Sequence, residues 1–562
     1  MTIPDNEPLA SVFEERAEFL SKNELRQWTA TTSDDRTIIT KLTGPGAKLL
    51  IGPRGSGKST LLRQAYYEVL DHGVDIAAYV NYSRSLWLEP LFHRTANALQ
   101  LFRQWILFKI VTGLADAITE AHIPLPEGLA KTARFGTEFI RELERGNQPT
   151  LSGGLLAPSE LITGIEQWTV TTGRRRCILL LDDAAHAFSP DQQREFFEIF
   201  RELRSRTISS KAAVYPGVTS YSPNFHVGHE AELIEAWLRP ENDEYLTTMR
   251  DIYERRIPTS LKERLRGRRD LIDYLALASF GLPRGYLVML SQLLGVEDNQ
   301  TRSPSRALAE QAVSEHADSV RHIFMSLAQK LPRYRRFVEV GSEVESAIAR
   351  SIQSWNANKA VTEKAVTIAF PDPLGSELSR VLAMLEYAGL IRYAHTVSRG
   401  VKGVFHRYTL HYSIILDANA LSLGKSFSIA DAIQALTKRD AHAFVRSTPS
   451  RLLGSDFADR CTLDLAPCQY CGAPRISEEA KFCMKCGREL SDASIYEELL
   501  KAPIQKLPLT KNKLNGLLQH TSIRTINDIL LDEENYQIRS VPHVGPIWSA
   551  RIRRYAEEFV SV

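Results

Sequence analysis

The apolar positions of this chain change period along its length. Short continuous runs come first: Lys48-Leu-Leu-Ile51, Val74–Val80, Cys177–Leu181 and Ala212–Thr219. Cys177-Ile-Leu-Leu-Leu-Asp-Asp183 is apolar up to its acidic end, as a central parallel strand buried on both faces requires. Between these runs the spacing turns helical, after Thr60 and over Ala96–Ala121, Phe135–Leu143 and Phe196–Arg206. Leu271–Leu294 is helical too, interrupted at Phe280-Gly-Leu-Pro-Arg284-Gly. Strands alternating with helices predict an α/β core on a parallel sheet. Ahead of it, Val12–Trp28 predicts a helix that buries Phe13, Ala17, Phe19 and Leu20. A long helical insertion between the second and third runs is expected to bury Trp87, Trp105 and Phe108. Further on, the amphipathic Glu377–Gly389 precedes two β-like runs, Ile391–His395 and Val404–Leu410, joined by the basic Val397–Gly403. The tail is all-α: Leu509, Leu514, Leu517 and Leu518, then Ile523–Leu530 and Ile538–Ile552.

Between the first strand and its helix lies Gly52-Pro-Arg-Gly-Ser-Gly-Lys-Ser59, with the spacing G-x-x-x-x-G-K-[ST]. Glycines at these places let backbone N–H groups turn inward onto a polyphosphate, and the following helix adds its positive end. The expected nucleotide-binding set is Gly52, Pro53, Arg54, Gly55, Ser56, Gly57, Lys58, Ser59, Thr60 and Asp182. The ligands are ATP and Mg²⁺. Lys58 would reach the β- and γ-phosphates, and Ser59 and Asp182 would hold Mg²⁺. Asp183 would polarise the attacking water. Thr219 and Ser220 are either sensors of the γ-phosphate or ordinary strand-end hydroxyls. His186 reads as a packing residue.

Composition narrows the rest. With 562 residues, three or four domains are expected, and 43% hydrophobic against 24% charged residues is ordinary globular material. A net charge of +2 leaves any nucleic-acid affinity to local patches. The most apolar window, Leu101–Ile118, carries Arg103, Lys109 and Asp116, so no membrane span is expected, and the N-terminus shows no signal pattern. Four of six cysteines form two CxxC pairs, Cys468 with Cys471 and Cys483 with Cys486, each followed by Gly. Four thiolates so spaced favour one structural Zn²⁺ in a reducing, cytoplasmic setting, and the segment resembles a zinc ribbon. Cys461 is left over.

GPRGSGKS at 52–59, LLLDD at 179–183 and GLPR at 281–284 together resemble an AAA+ P-loop ATPase. The nearest branch is the origin-recognition/Cdc6 one with its prokaryotic relatives, and STAND signalling ATPases are neighbours. The resemblance spans roughly residues 10–420. It implies a helical lid whose Arg284 reaches the γ-phosphate, making Lys58, Asp183 and Arg284 the catalytic set of a slow or partner-stimulated ATPase. The usual second acid is Glu rather than Asp183. No arginine finger stands out, although Arg239 precedes a plausible last strand. Helix, strand, basic hairpin and strand at 377–416 resemble a winged helix, which either touches DNA, with Arg399, Lys402 and Arg407 placed to meet phosphates, or serves as an internal regulator as in STAND relatives. The tail resembles a helix-hairpin-helix unit, with His543 where the first hairpin Gly is usual and Arg551, Arg553 and Arg554 available to phosphates.

The expected layout is an N-terminal helical segment 1–45 and an AAA+ core 46–255 with helical insertion 90–170. A helical lid 256–355, winged helix 356–420 and helical connector 421–465 follow, then a zinc ribbon 466–489 and a helix-hairpin-helix-like domain 490–562. The resemblance implies an ATP-dependent switch on duplex DNA that loads or activates a protein partner encoded nearby, as a homo-oligomer or alone. Relatives outside replication occur in mobile-element or antiviral-defence loci. The alternative is a STAND-type signalling ATPase sensing protein or RNA.

Overall fold

The computed structural model describes residues 13, 17–95, 97–121, 123–149, 154–184, 190–296, 303–424, 427–437, 444–477, 480–490, 494–509, 511–542 and 544–560. His186 and His543 lie outside these.

Five strands form one all-parallel sheet: β1 (Lys48–Ile51), β2 (Ile76–Asn81), β3 (Cys177–Asp182), β4 (Ile208–Val214) and β5 (Glu232–Glu235). Their spatial order is β2-β3-β4-β1-β5, so β4 lies between the strand feeding the glycine loop and the strand ending in carboxylates. β3 is buried at every position, and its alternate side chains enter two different cores. Leu179 and Leu181 pack with Trp105, Phe108 and Phe196, whereas Ile178 and Leu180 pack with Leu62, Ala65 and Tyr66 of the helix Lys58–His72. This is the P-loop α/β core, with the helical insertion Ala98–Ala121 and Glu127–Glu144 on one face.

Several elements start or stop where local chemistry dictates. The N-terminal run does not form one helix: Ala17–Phe19 is a 3₁₀ turn, and Ser21, in a capping box with Glu24, starts a new helix at Lys22. Phe13, Ala17 and Leu20 are buried as expected, but Phe19 is 61% exposed because that break turns it outward. β4 begins earlier than its apolar run suggests and ends at Val214, since Pro216 and Gly217 turn the chain. Arg239 follows β5 instead of preceding the last strand, and pairs with Glu235. In the tail Thr525 caps a helix limited to Ile526–Leu531.

The lid is built from Arg269–Ala278, Pro283–Leu293, Arg306–Lys330 and Arg335–Asn356. A second sheet follows, β6 (Thr367–Pro371), β7 (Ile391–Ser398), β8 (Val404–Leu410) and β9 (Val445–Arg446), in the order β7-β8-β6-β9. β7 and β8 form the antiparallel wing-like hairpin. The tail contains helices Ile495–Leu500, Lys511–His520, Ile526–Leu531 and Pro546–Phe559. Lid, second sheet and tail share one apolar core that runs from Leu271 through Leu385 to Ile552. Among the described residues no helix is long and apolar enough to cross a membrane.

Candidate functional site

The C-terminal ends of β1, β3 and β4 meet at one edge of the sheet, where open α/β sheets bind ligands. Gly57, at φ +94°, caps the helix that starts with Lys58; a side chain there would be strained. The buried Lys58 Nζ donates to the carbonyls of Gly52 (2.7 Å) and Pro53 (2.9 Å) of its own loop. It also lies 3.9 Å from the ring centre of Tyr215, just past β4. Burial pushes this ammonium down to about 7, against the pull of Asp183 and Asp182.

Asp182, buried at the end of β3, accepts hydrogen bonds from the Tyr79 hydroxyl (2.6 Å) and the Asp183 amide (3.0 Å). Ser59 also bonds its carboxylate. Burial, and then the neighbouring Asp183, raise Asp182 to about 7. Ser59 and Asp182 thus present adjacent hard oxygen donors, a set that fits Mg²⁺. Asp183 adopts φ 51°, and its Oδ1 accepts from the Tyr215 hydroxyl at 2.9 Å. Thr219 and Ser220 do not line the cavity over this edge. The Thr219 hydroxyl closes a turn onto the Tyr215 carbonyl (2.7 Å), and the Ser220 amide donates to Gln193. Tyr215 holds the position that a search for small hydroxyl residues overlooks; its place directly after β4 was the available signal.

Arg284 reaches the loop because the lid backbone is forced close to the core. Gly281 (φ +79°) has no room for a side chain: a Cβ there would lie 1.8 Å from the Leu238 carbonyl. Pro283 then opens the helix, and Arg284 packs against Gly55. Arg284 Nη1 lies 3.3 Å from Glu558 Oε1, on the last helix. Arg54 is half-buried beside the same group. Burial alone would lower its guanidinium, but Glu558, with Tyr387, Tyr215 and Asp183, holds it above its ordinary value.

A cavity of about 770 Å³ opens over the loop, ample for a nucleotide. Ala17, Phe19 and Trp87 line it, as do Tyr496, Asn527 and Arg553 of the tail. Trp87 is therefore a cavity residue, with Arg84 stacked 4.9 Å over its ring, while Trp105 and Phe108 are buried as expected.

The four ribbon cysteines converge. Cys468 and Cys486 Sγ are 3.7 Å apart, Cys471 and Cys483 Sγ 3.6 Å, and all four lie within 4.8 Å of one another. A tetrahedral zinc with sulfurs at about 2.3 Å requires sulfur separations of about 3.8 Å, so this donor set fits Zn²⁺. Backbone N–H groups of Cys486 and Lys485 draw the Cys483 thiol down to about 6. Gly472 and Gly487, both left-handed, close matching turns onto the Cys468 and Cys483 carbonyls at 2.8 Å.

The six expected DNA-contacting cations are not equivalent. Arg399 and Arg407 stand over the Phe444 ring at 5.0 and 4.7 Å, joined there by Arg446, which the sequence reading missed. Lys402 lies in the wing turn Gly400–Lys402. Arg551 stacks on Trp548, and Arg554 is half-buried nearby. Arg553 turns inward, donating to the Asp532 (2.9 Å) and Leu530 (3.1 Å) carbonyls. Its guanidinium satisfies a helix end instead of an outer phosphate. The helix Ser376–Tyr387, just before the wing-like hairpin, is packed against the core. Ala383 abuts Gly217, and Tyr387 meets Tyr215 edge-on at 5.4 Å.

No protein-family model matches the chain, and no curated protein does. Solved structures do. The Walker-type ATPase PABY2304 of Pyrococcus abyssi is 15% identical, with a TM-score of 0.38 over 73% of this chain and 99% of that one. Cdc6p from Pyrobaculum aerophilum is 14% identical, with a TM-score of 0.31 over 76% and 97%. The Aeropyrum pernix Orc1 protein, solved in complex with DNA, is 16% identical, with a TM-score of 0.29 over 74% and 96%. At these values they are similar chains and carry no argument about chemistry, which rests on the site itself.

Proposed function

We propose that the chain binds ATP with Mg²⁺ at the glycine loop, hydrolyses it slowly, and acts as a DNA-associated switch that loads or activates a partner protein. The observation that carries this is the meeting of Lys58, Ser59, Asp182, Asp183 and Arg284 at one sheet edge. Lys58 would trade its loop carbonyls for phosphate oxygens, and the inward amides of the loop would bind the rest of the polyphosphate. Ser59 and Asp182 would hold Mg²⁺, which neutralises phosphate charge. Asp183, fixed by Tyr215, would accept a proton from the attacking water, its short reach keeping turnover slow. Arg284 would bridge lid and terminal phosphate.

Duplex DNA is proposed as the nucleic acid because Arg399 and Arg407 of the wing and Arg446 of β9 cluster on one ring. The mobile-element or antiviral-defence setting rests on family resemblance alone. Zn²⁺ in the ribbon is proposed as structural, since four thiolates close its shell. One observation favours a second reading, a STAND-type signalling switch: the helix Ser376–Tyr387 is held on the core, with Arg392 paired to Glu241. Titration with Mg²⁺-ATP tests the proposal. Lys58→Ala should abolish binding and Asp182→Ala weaken it; unchanged affinity in Lys58→Ala would remove the loop assignment.

A further inference from the structure

The tail is tied to the nucleotide site at two places. At its start the buried Glu89 of the core accepts from Ser494 Oγ (2.5 Å) and the Ile495 amide (3.2 Å), and Arg94 pairs with Glu497. At its end Glu558 sits among three cations that converge from three elements. Arg284 of the lid contacts its carboxylate at 3.3 Å, and Lys330, at the end of another lid helix, donates to its carbonyl at 3.1 Å. Arg54 of the glycine loop feels its charge. Two of these, Arg54 and Arg284, line the cavity over the loop.

We propose that Glu558 is a built-in rival of the terminal phosphate of ATP, so that this site distinguishes a triphosphate from a diphosphate through its own tail. The inference rests on the loop being the ATP site. A carboxylate held by Arg284 within the electrostatic reach of Arg54 offers the same kind of bidentate-capable anion as a phosphate oxygen pair, but with one charge instead of about two. A γ-phosphate therefore takes over Arg284 and Arg54, and the last helix, Pro546–Phe559, loses its side-chain clamp, keeping only the Lys330 bond to the Glu558 carbonyl while Glu89 still tethers the start of the tail. ADP lacks the γ-phosphate and leaves Glu558 in place. The two states differ by a swap of named contacts, which is what lets a ligand move the equilibrium. Linkage makes the effect reciprocal: whatever frees the tail raises affinity for ATP but not for ADP.

The test uses the full chain with a non-hydrolysable ATP analogue and with ADP. Glu558→Gln, which removes the charge and keeps the shape, should bind the analogue at least about fivefold more tightly than the parent, with ADP affinity unchanged. In the parent, amide hydrogen exchange over residues 546–559 should speed up with the analogue and not with ADP, a readout that needs no variant to fold. A parent that binds the analogue with no change in exchange there, or a Glu558→Gln chain with an unaltered ratio of the two affinities, overturns this inference and leaves the ATP site standing. A parent that binds neither nucleotide overturns both.

Discussion

Tyr215 does two things with one side chain: its ring covers the Lys58 ammonium and its hydroxyl fixes Asp183. Tyr215→Phe keeps the ring and loses the hydrogen bond, worth about 1 kcal/mol. ATP affinity should stay near the parent value while kcat falls roughly fivefold. A parallel rise in Kd would instead make Tyr215 a binding residue. Asp183→Asn should bind ATP and turn over more slowly than the parent, as single-turnover assays can resolve. At this scale the glycine loop and the paired aspartates were legible, because motif spacing encodes their geometry. Tyr215 was not, since a strand-end tyrosine looks like core until the lysine is seen beneath it. Glu558 was equally hidden, 274 positions along the chain from Arg284.

Elements carry two further predictions. One zinc per chain should copurify, and each of Cys468→Ser, Cys471→Ser, Cys483→Ser and Cys486→Ser should release it and expose the ribbon to protease while ATP still binds. A metal content near zero in reducing buffer would contradict the site. The lid is joined to the second sheet through His316 and His411, buried rings 5.4 Å apart. Burial lowers His316 to about 4, and burial together with His316 and Arg321 depresses His411. Unfolding lets both imidazoles take up protons near 6.5, so stability is full above that pH and is lost as pH falls toward 4. For His316 alone the loss approaches about 3 kcal/mol. Thermal melts from pH 7.5 to 4.5 should show this fall, and His316→Gln should flatten it; an unchanged slope would mean that other groups drive it. The fully buried β3 was legible as a strand, whereas β6, buried at its first four positions, was not anticipated and β4 was placed too late. The N-terminal helix and the end of β4 were misjudged because caps and turns at Ser21 and Pro216, and not hydrophobicity, set them.

Across the whole molecule, the P-loop core and a helical C-terminal region could be read from the chain but their docking could not, since contacts such as Glu89 with Ser494 join residues hundreds of positions apart. That docking decides which cations can meet DNA. Arg553 is spent on carbonyls, so Arg553→Ala should lower stability, whereas Arg551→Ala with Arg554→Ala should reduce the salt dependence of duplex binding by about two phosphate contacts. The central claim is that an ATP cycle at the glycine loop is coupled to DNA, and its most direct measure is steady-state Mg²⁺-ATP turnover by the intact chain with and without duplex DNA at low salt. The account predicts slow basal turnover, raised by DNA, with both rates abolished in Lys58→Ala. Turnover that is absent in both conditions, or that persists in Lys58→Ala, would contradict it.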